Sequence, residues 1–426
     1  MLKRLDLRGV DDPTADLPRP DVAGEAPVAA VQAILADVRR RGDAAVREYT
    51  ERFDKLALDD LRVPQVELER ALGETPPLLR EALEAANDNI AAYHREQVRI
   101  DHRYEKDGVV VRELRRPVDR AGLYVPGGRA AYPSTVLMTA VPARVAGVRE
   151  LVLCVPPGPD GRVDPTVLAA AALAQVDEVY CIGGAQAIGA MAYGTETIRP
   201  VDVIVGPGNV YVALAKREVA GVVGVPSAFA GPSEVVVVAD ETTPVDYAAI
   251  DVIVQAEHGP DGLAWLITWS DDVAERVTEA IQRLVEASPR RADIESTLDR
   301  GGYAVLVDGP EAALAVSNAI APEHLELMTA DPESLLPLVR SAGAVFTGAY
   351  SPAAVGDYLA GPSHVLPTHG SARFSSALRV DDFVKHIHVV TVDDTTLTRI
   401  GPHVAAIADA EGLAAHADAV RLRGPR

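Results

Sequence analysis

The sequence has few basic residues relative to its acidic ones, and this deficit limits the partners that the protein can bind. Lys and Arg together number 41 against 62 Asp and Glu, so the 426 residues carry a formal net charge of −21. This balance argues against a nucleic-acid backbone or an anionic membrane as a partner. A phosphorylated ligand would have to be held by local turns rather than by a basic surface.

Cysteine is scarce, and long hydrophobic runs are absent. The two cysteines, Cys154 and Cys181, each lie in an apolar, strand-like run, so two buried thiols in a reducing compartment are favoured over a disulfide or a nucleophile. The N-terminal stretch MLKRLDLRGVDDP has no apolar signal region, and no run approaches the roughly 18 apolar residues of a membrane span. We therefore expect a soluble cytoplasmic protein.

What the sequence has instead is apolar material, 48% of the chain, sufficient for several cores. Apolar residues at helical spacing predict an N-terminal helical segment over residues 1–110. Beyond it, short apolar runs alternate with alanine-rich helical stretches, which is typical of parallel sheets covered by helices on both faces. The predicted fold class is therefore α/β, with two Rossmann-like parallel-sheet units at 111–232 and 233–370 and a small C-terminal appendage at 371–426.

No sequence repeat relates the two predicted units. The appendage is too small for a core of its own, so we expect it to lie on the main body or on a partner chain. The predicted strands cover residues 151–155, 179–184, 201–206, 234–239, 303–308, 343–348 and 384–392, and the predicted helices include 165–175, 185–193, 210–220 and two short pieces within 402–421.

Glycine-bearing turns follow the strands of the first unit. They occur in GLYVPGG (122–128), GGAQAIG (183–189) and GPGNVY (206–211). Such turns let backbone amides and helix N-termini approach a ligand at the carboxyl edge of a parallel sheet. None is a G-x-G-x-x-G fingerprint, and one such turn alone is more often structural than part of a nucleotide site. Three in one unit give the two interpretations equal weight.

Four histidines lie near carboxylate or amide side chains. The groups are Gln255 with His258 on one face of a helix, Glu323 with His324, Asp357 with His364, and Glu411 with His416. Amide, carboxylate and imidazole together suit zinc better than calcium or an iron–sulfur cluster. A histidine in the last turn of a helix is also favoured by the helix dipole without a metal, so His258 alone leaves a structural role open.

At these motifs the sequence resembles the histidinol dehydrogenases, zinc enzymes that complete histidine biosynthesis. The family's order and approximate spacing are kept over residues 115–420 by GLYVPGG, GGAQAI, VGPGN, GPSE, QAEHGP, APEHLEL, GDY, HVLPT and AEGLAAHA. The N-terminal helices fit the family's leading segment. One departure is Ser363, where the family pattern leads us to expect asparagine; it bears on hydrogen bonding at the site but removes no proposed ligand.

The resemblance implies oxidation of L-histidinol through L-histidinaldehyde to L-histidine with reduction of two NAD⁺. In this scheme His324, as a neutral imidazole near pH 7, takes the hydroxyl proton, and Glu323 activates water for the second step. The resemblance also implies a homodimer with shared active sites and one Zn²⁺ per subunit. The implied zinc ligands are Gln255, His258, Asp357 and His416 of the partner subunit.

The resemblance assigns the other site residues to the substrate and the cofactor. Ser233, His364 and Glu411 hold the substrate, which His324 and the four zinc ligands also contact. Tyr124, Gln186 and Asn209 line the NAD site. For Asp251, one turn before Gln255, a surface or capping role is favoured over support of the metal.

Other functions remain open from the residues alone. A paralogue with the same zinc, NAD and Glu–His groups could oxidise another small primary alcohol. A zinc hydrolase could use Glu323 to activate water without a nicotinamide. A non-enzymatic scaffold gives no reason to gather these groups.

Overall fold

The computed structural model describes residues 2–15, 17–18, 27–127, 130–227, 233–256 and 262–424. Fourteen β-strands and fifteen α-helices occur in these ranges. The strands are β1 (Lys3–Asp6), β2 (Arg62–Val63), β3 (His102–Lys106), β4 (Val109–Pro117), β5 (Arg120–Tyr124), β6 (Glu150–Val155), β7 (Glu178–Cys181), β8 (Val203–Val205), β9 (Glu234–Ala239), β10 (Leu263–Thr268), β11 (Gly302–Leu306), β12 (His324–Met328), β13 (Ala344–Thr347) and β14 (Val384–Thr391). The helices are α1 (Val28–Arg41), α2 (Asp43–Asp54), α3 (Gln65–Glu74), α4 (Pro77–Arg95), α5 (Pro133–Ala146), α6 (Pro165–Leu173), α7 (Gly184–Tyr193), α8 (Val210–Val219), α9 (Val245–Ala256), α10 (Asp271–Ala287), α11 (Arg291–Gly301), α12 (Pro310–Ile320), α13 (Ala353–Tyr358), α14 (Asp394–Ala410) and α15 (Ala414–Arg421).

One sheet has the strand order β2-β7-β6-β5-β8, with β5 to β8 parallel and β2 antiparallel at the edge. Strand β6 shows why helices cover both faces. Its residues Leu151 and Leu153 pack against α5 and α6, whereas Val152 and Cys154 pack against α1 and α7. Because successive strand residues point to opposite faces, a continuous apolar run needs a helical layer on each side.

The second sheet has six parallel strands in the order β1-β11-β10-β9-β12-β13. Helices α9, α10 and α11 cover one face and α12 covers the other. These two sheets confirm the predicted α/β class. The edge strand β1 lies within the N-terminal segment, where only helices were predicted. Three of its four residues, KRLD, are charged and exposed, so they show no apolar alternation that could have indicated a strand.

The C-terminal appendage is attached to its own chain by a third sheet, in the order β14-β4-β3. Strand β14 pairs antiparallel with β4 over its whole length. Helices α14 and α15 follow and pack on each other through Ala405, Ala408 and Ala417. They separate at Gly412, whose φ of +73° lies in the left-handed region that favours glycine. The break was predicted, but α14 is longer than expected, because Asp393 caps it well before residue 402.

Within the described ranges, none of the helices combines the length and apolar character needed to cross a membrane.

Candidate active site

Predicted site residues gather at the amino edge of the six-stranded sheet, where the neighbouring strands β9 and β12 begin. His324 opens β12 and pairs with Val235 near the start of β9. The preceding residues therefore meet: Oε2 of Glu323 accepts a hydrogen bond from the backbone N of Glu234 at 3.2 Å. Glu323 also hydrogen-bonds with the side chain of Ser233. Ser233, Glu323 and His324 thus form one cluster.

Glu323 and His324 form a buried pair of titratable groups. The Nδ1 atom of His324 lies 3.8 Å from Oε2 of Glu323. Burial raises the pKa of Glu323, because it disfavours the charged carboxylate. Burial lowers the pKa of His324, but the carboxylates of Glu323 and Asp357 outweigh it and raise that pKa to about 9. The two carboxylates favour the protonated ring in this arrangement, and the neutral imidazole expected near pH 7 stays a prediction.

Asp357 lies at the second nitrogen of the same ring. Its Oδ1 is 3.4 Å from Nε2 of His324. Asp357 belongs to α13, which follows β13, the strand that pairs with β12. A Cβ added at Gly356 would come within 2.5 Å of the Phe346 ring. The missing side chain at Gly356 therefore allows α13 to approach β13 closely enough to bring Asp357 to His324.

His364 connects this edge to the first sheet. Its Nδ1 lies 2.8 Å from the backbone O of Asp357, and its Nε2 lies 3.2 Å from Oγ1 of Thr135 at the start of α5. A carbonyl oxygen only accepts, so Nδ1 carries the proton and Nε2 accepts from the Thr135 hydroxyl. No motif in the sequence marks Thr135 as a site residue. Next to His364, the hydroxyl of Ser363 donates to the backbone O of Met138, also on α5.

Helix α9 returns to the same edge because it connects the end of β9 to the start of β10. Gln255 lies in its last turn and is buried. His258 lies outside the described residues, so its predicted role stays a prediction. The favoured surface or capping role of Asp251 is wrong, because Asp251 is buried and hydrogen-bonds with the side chain of Glu326. Glu326 was missed, although an acidic residue inside the apolar run HLELM was a usable signal.

The proposed metal ligands fit zinc by the chemistry of their donor atoms. Gln255 offers an amide oxygen and Asp357 a carboxylate, and the two predicted histidines would add nitrogen donors. In the described part of the chain, no group of three or more His, Cys, Asp or Glu side chains could hold a metal ion. Of the four proposed ligands, only Gln255 and Asp357 lie at this edge among the described residues. A complete zinc site therefore needs further donor atoms.

The predicted cofactor residues lie at the carboxyl edge of the five-stranded sheet, where the glycine-bearing turns predicted a ligand. Tyr124 ends β5, and its hydroxyl accepts a hydrogen bond from N of Gly184 at 3.0 Å. Asn209 caps α8, because its Oδ1 accepts from two backbone N–H groups at 3.1 and 3.2 Å. Gln186 is buried, and among the described residues its Oε1 has no hydrogen-bond partner. Such an oxygen is costly unless a ligand donates to it, so Gln186 fits a cofactor with polar groups.

A cavity lies beside one of these turns. It has a volume of about 280 Å³ and is lined by Gly206, Val365 and residues 374–379. Lys216, which is buried, donates to the backbone O of Gly206 at 2.7 Å and so holds the turn at the cavity wall. The cavity offers space for a ligand between the glycine turn and the segment that follows His364.

The predicted residues of the appendage do not join this cluster within one chain. Glu411, directly after α14, and His416, on α15, are exposed, and the two helices pack on each other. On β14, His386 and His388 lie 3.3 and 4.0 Å from the carboxylate of Glu113 on the neighbouring strand. These two histidines alternate along one exposed strand and stand apart from the buried groups.

Comparison with known proteins gives consistent matches across the chain. The model of the histidinol dehydrogenase family matches residues 17–424. A histidinol dehydrogenase of Synechococcus is 49% identical over 398 residues, which are 93% of this chain and 92% of the relative. One of Geobacillus kaustophilus is 50% identical over 395 residues, 92% of this chain and 93% of the relative.

Solved structures show the same similarity. The crystal structure of histidinol dehydrogenase from Elizabethkingia anophelis superposes with a TM-score of 0.94 at 36% identity, covering 99% of this chain and 98% of that one. An acetylating aldehyde dehydrogenase from Geobacillus thermoglucosidasius has a TM-score of 0.51 at 14% identity, with 86% of this chain and 97% of that chain covered. The second similarity concerns the fold alone.

Proposed function

The chain belongs to the histidinol dehydrogenase family, and we propose that its buried Glu323–His324 pair performs the acid–base steps of the family's reaction. The protein is an oxidoreductase of histidine biosynthesis, and it converts L-histidinol through L-histidinaldehyde to L-histidine, the final step. One observation carries the proposed roles. Nδ1 of His324 and Oε2 of Glu323 approach to 3.8 Å in a buried site next to Asp357.

In the first oxidation, His324 takes the proton of the substrate hydroxyl. A basic imidazole is suited to this step once it is deprotonated. Two carboxylates raise the pKa of His324 to about 9, and a cation held by Asp357 would reduce the contribution of that carboxylate. Bound NAD⁺ would supply the hydride acceptor for each of the two oxidations.

In the second oxidation, Glu323 takes a proton from the water that adds to the aldehyde carbonyl. Burial raises the pKa of this carboxyl, which makes its ionised form a stronger base than an exposed glutamate. Because Glu323 and His324 are consecutive residues at the start of one strand, the same reaction centre serves both half-reactions. Ser233, which hydrogen-bonds with Glu323, lies where it can also contact substrate.

The proposed ligands of one zinc ion per subunit are Gln255, His258, Asp357 and His416 of the partner subunit. When bound, the metal would anchor the imidazole and amine nitrogens of L-histidinol and leave the reacting carbon free. His364 and Glu411 contact the substrate in this proposal. On the cofactor side, Tyr124, Gln186 and Asn209 line the NAD site at the carboxyl edge of the other sheet.

We also propose a homodimer with active sites built from both chains. Glu411 and His416 are exposed within one chain, which leaves them available to a partner. The same two helices and the residues that flank α15 expose apolar side chains that a partner could cover: Ile407, Leu413 and Leu422. We also propose that the chain divides into four segments, with boundaries at residues 110, 232 and 370. The two buried free thiols, Cys154 and Cys181, suit a reducing cytoplasm.

The test is oxidation of L-histidinol measured by the absorbance of reduced nicotinamide, beside a panel of small primary alcohols. We expect two reduced cofactors per histidinol consumed and little turnover of the other alcohols. The matched variants are Glu323→Gln and His324→Ala. If both variants oxidise histidinol and histidinaldehyde at nearly wild-type rates, the pair has no part in the mechanism.

A further inference from the structure

Two buried carboxyl groups lie beside the proposed zinc ligands, and the reaction does not use them. Asp251 on α9 and Glu326 on β12 are only 6% and 2% exposed. Their side chains hydrogen-bond to each other. Two carboxylates cannot do so without a proton between them, and burial together with the Asp251 hydrogen bond raises the pKa of Glu326. The pair therefore holds a proton that makes the bond.

Asp251 is fixed to the helix that carries Gln255. The two residues are four positions apart on α9, so they lie on the same face of that helix, one turn from each other. The hydrogen bond that holds Asp251 close to β12 therefore also positions the Gln255 side chain.

Glu326 is fixed to the other two elements of the site. It lies two residues after His324, so both side chains project from the same face of β12. Its Oε1 accepts a hydrogen bond at 3.1 Å from N of Ala353, the first residue of α13. The residue before that helix, Pro352, provides no side-chain cap. Glu326 thus satisfies an N–H at the start of the helix that carries Asp357 one turn later.

We propose that the Asp251–Glu326 hydrogen bond fixes α9 relative to α13 and thereby sets how tightly Gln255 and Asp357 hold zinc. The proposal rests on the zinc site proposed above and extends it to two residues that touch neither metal nor substrate. Both are positioning residues. Removing such support from metal ligands typically weakens metal binding by about 10- to 100-fold.

The experiment measures zinc release from zinc-loaded protein into excess chelator, followed with a chromogenic zinc indicator. Asp251→Asn keeps a hydrogen-bond donor toward Glu326, whereas Asp251→Leu has a similar shape and no donor. We expect Asp251→Leu to release zinc about 10-fold faster than wild type or more, and Asp251→Asn to stay within about 3-fold. Thermal unfolding of each variant is measured alongside.

A second variant covers the case in which Asp251→Leu does not fold, since it leaves the carboxyl of Glu326 buried without its partner. Asp251→Leu/Glu326→Met replaces the whole pair with apolar groups, a change that proteins often tolerate. It should also release zinc about 10-fold faster. A folded double variant that holds zinc as tightly as wild type overturns the proposal.

Asp240→Ala is the matched control. Asp240 is buried in the same sheet but at the opposite edge, where it accepts from the backbone N of Thr242 and of Ala330 at 2.9 and 2.8 Å. This variant should lose stability yet release zinc at the wild-type rate. If Asp240→Ala releases zinc as fast as Asp251→Leu, general loosening explains the effect and the proposal fails. Wild-type protein that binds no zinc is a separate result, which would remove the proposed metal site itself.

Discussion

The Nδ1 atom of His324 lies 3.8 Å from Oε2 of Glu323, and both side chains are buried at the amino edge of the six-stranded sheet. At this distance in a site of low polarity, the charge of each group depends on that of the other. The carboxylate of Glu323 raises the pKa of His324, and His324 favours the ionised form of Glu323. A change in either residue should therefore alter the protonation of the other and, with it, the pH dependence of the reaction.

The first prediction concerns pH. His324 must lose its proton before it can accept one from histidinol, and its pKa is raised to about 9. The kcat/KM for histidinol should therefore rise with pH above neutrality and level off at or somewhat below pH 9, since bound zinc reduces the effect of Asp357. Glu323→Gln removes one anion, lowers the pKa of His324, and should move the rise to lower pH. A profile that is flat between pH 6 and 8 in wild type would contradict this coupling.

The second prediction separates the two oxidations. Glu323 is proposed to act on water, which enters only after the aldehyde has formed. Glu323→Gln should therefore slow histidinaldehyde oxidation by about 10²-fold or more and affect the first step less. His324→Ala should slow both steps. Single-turnover measurements started from histidinol and from histidinaldehyde test this, and equal, mild losses in all four cases would argue against it.

The sequence predicted the two parallel sheets because their central strands are apolar on both faces and are separated by alanine-rich helices. Strand β10 was missed although its six residues, LAWLIT, are all buried, and strands that lacked this signal were missed as well. β1 is a short, charged edge strand, and all five residues of β3 are exposed. The partner of β1 lies far away in the sequence, at residues 303–306, and no local pattern reports that pairing. The partner of β3 is adjacent, at residues 109–113, and the Asp107-Gly108 turn between the two strands was an unused hairpin signal.

The site was predicted by motif similarity rather than by physical pattern. Resemblance selected Ser233 as well as the consecutive residues Glu323 and His324, and Ser233 meets Glu323 because β9 and β12 begin side by side. Thr135 and Glu326 were missed for different reasons. The contact of Thr135 with His364 spans 229 residues of sequence. Glu326 stands within an apolar strand and could have been noticed, but its partner Asp251 depends on how α9 packs.

The third prediction concerns Thr135, whose hydroxyl donates to Nε2 of His364 at 3.2 Å. Thr135→Val removes this bond while keeping the side-chain shape, so Nε2 of His364 loses the support of Thr135 while Nδ1 keeps its bond to the Asp357 carbonyl. We expect the KM for histidinol to rise about 3- to 10-fold, with a smaller change in kcat. Thr139→Val is the control, because that hydroxyl donates within α5 to the backbone O of Thr135. Equal effects of both variants would assign the loss to the helix rather than to His364.

The fourth prediction concerns the metal. Purified protein should hold about one zinc per chain, as expected for a four-ligand site. His258→Ala should lose both zinc and activity, because it removes a nitrogen donor that the other ligands do not replace. Metal analysis before and after dialysis against a chelator provides the measurement. Metal-free protein that keeps full activity would show that the assigned ligands serve another purpose.

The last prediction concerns the exposed Glu411 and His416 on the C-terminal helices. If this appendage reaches the partner subunit, each active site takes His258 from one chain and His416 from the other. The homodimers of His258→Ala and of His416→Ala should then both be inactive. In a mixed dimer, one site collects both defects, while the other receives an intact His258 from the His416→Ala chain and an intact His416 from the His258→Ala chain. Co-refolding the two inactive variants should therefore restore activity to the mixture.

If the helices instead fold back on their own chain, every site in the mixture keeps one defect. Mixtures that form heterodimers, verified by differently tagged chains, and yet remain inactive would show that each site is built within a single chain.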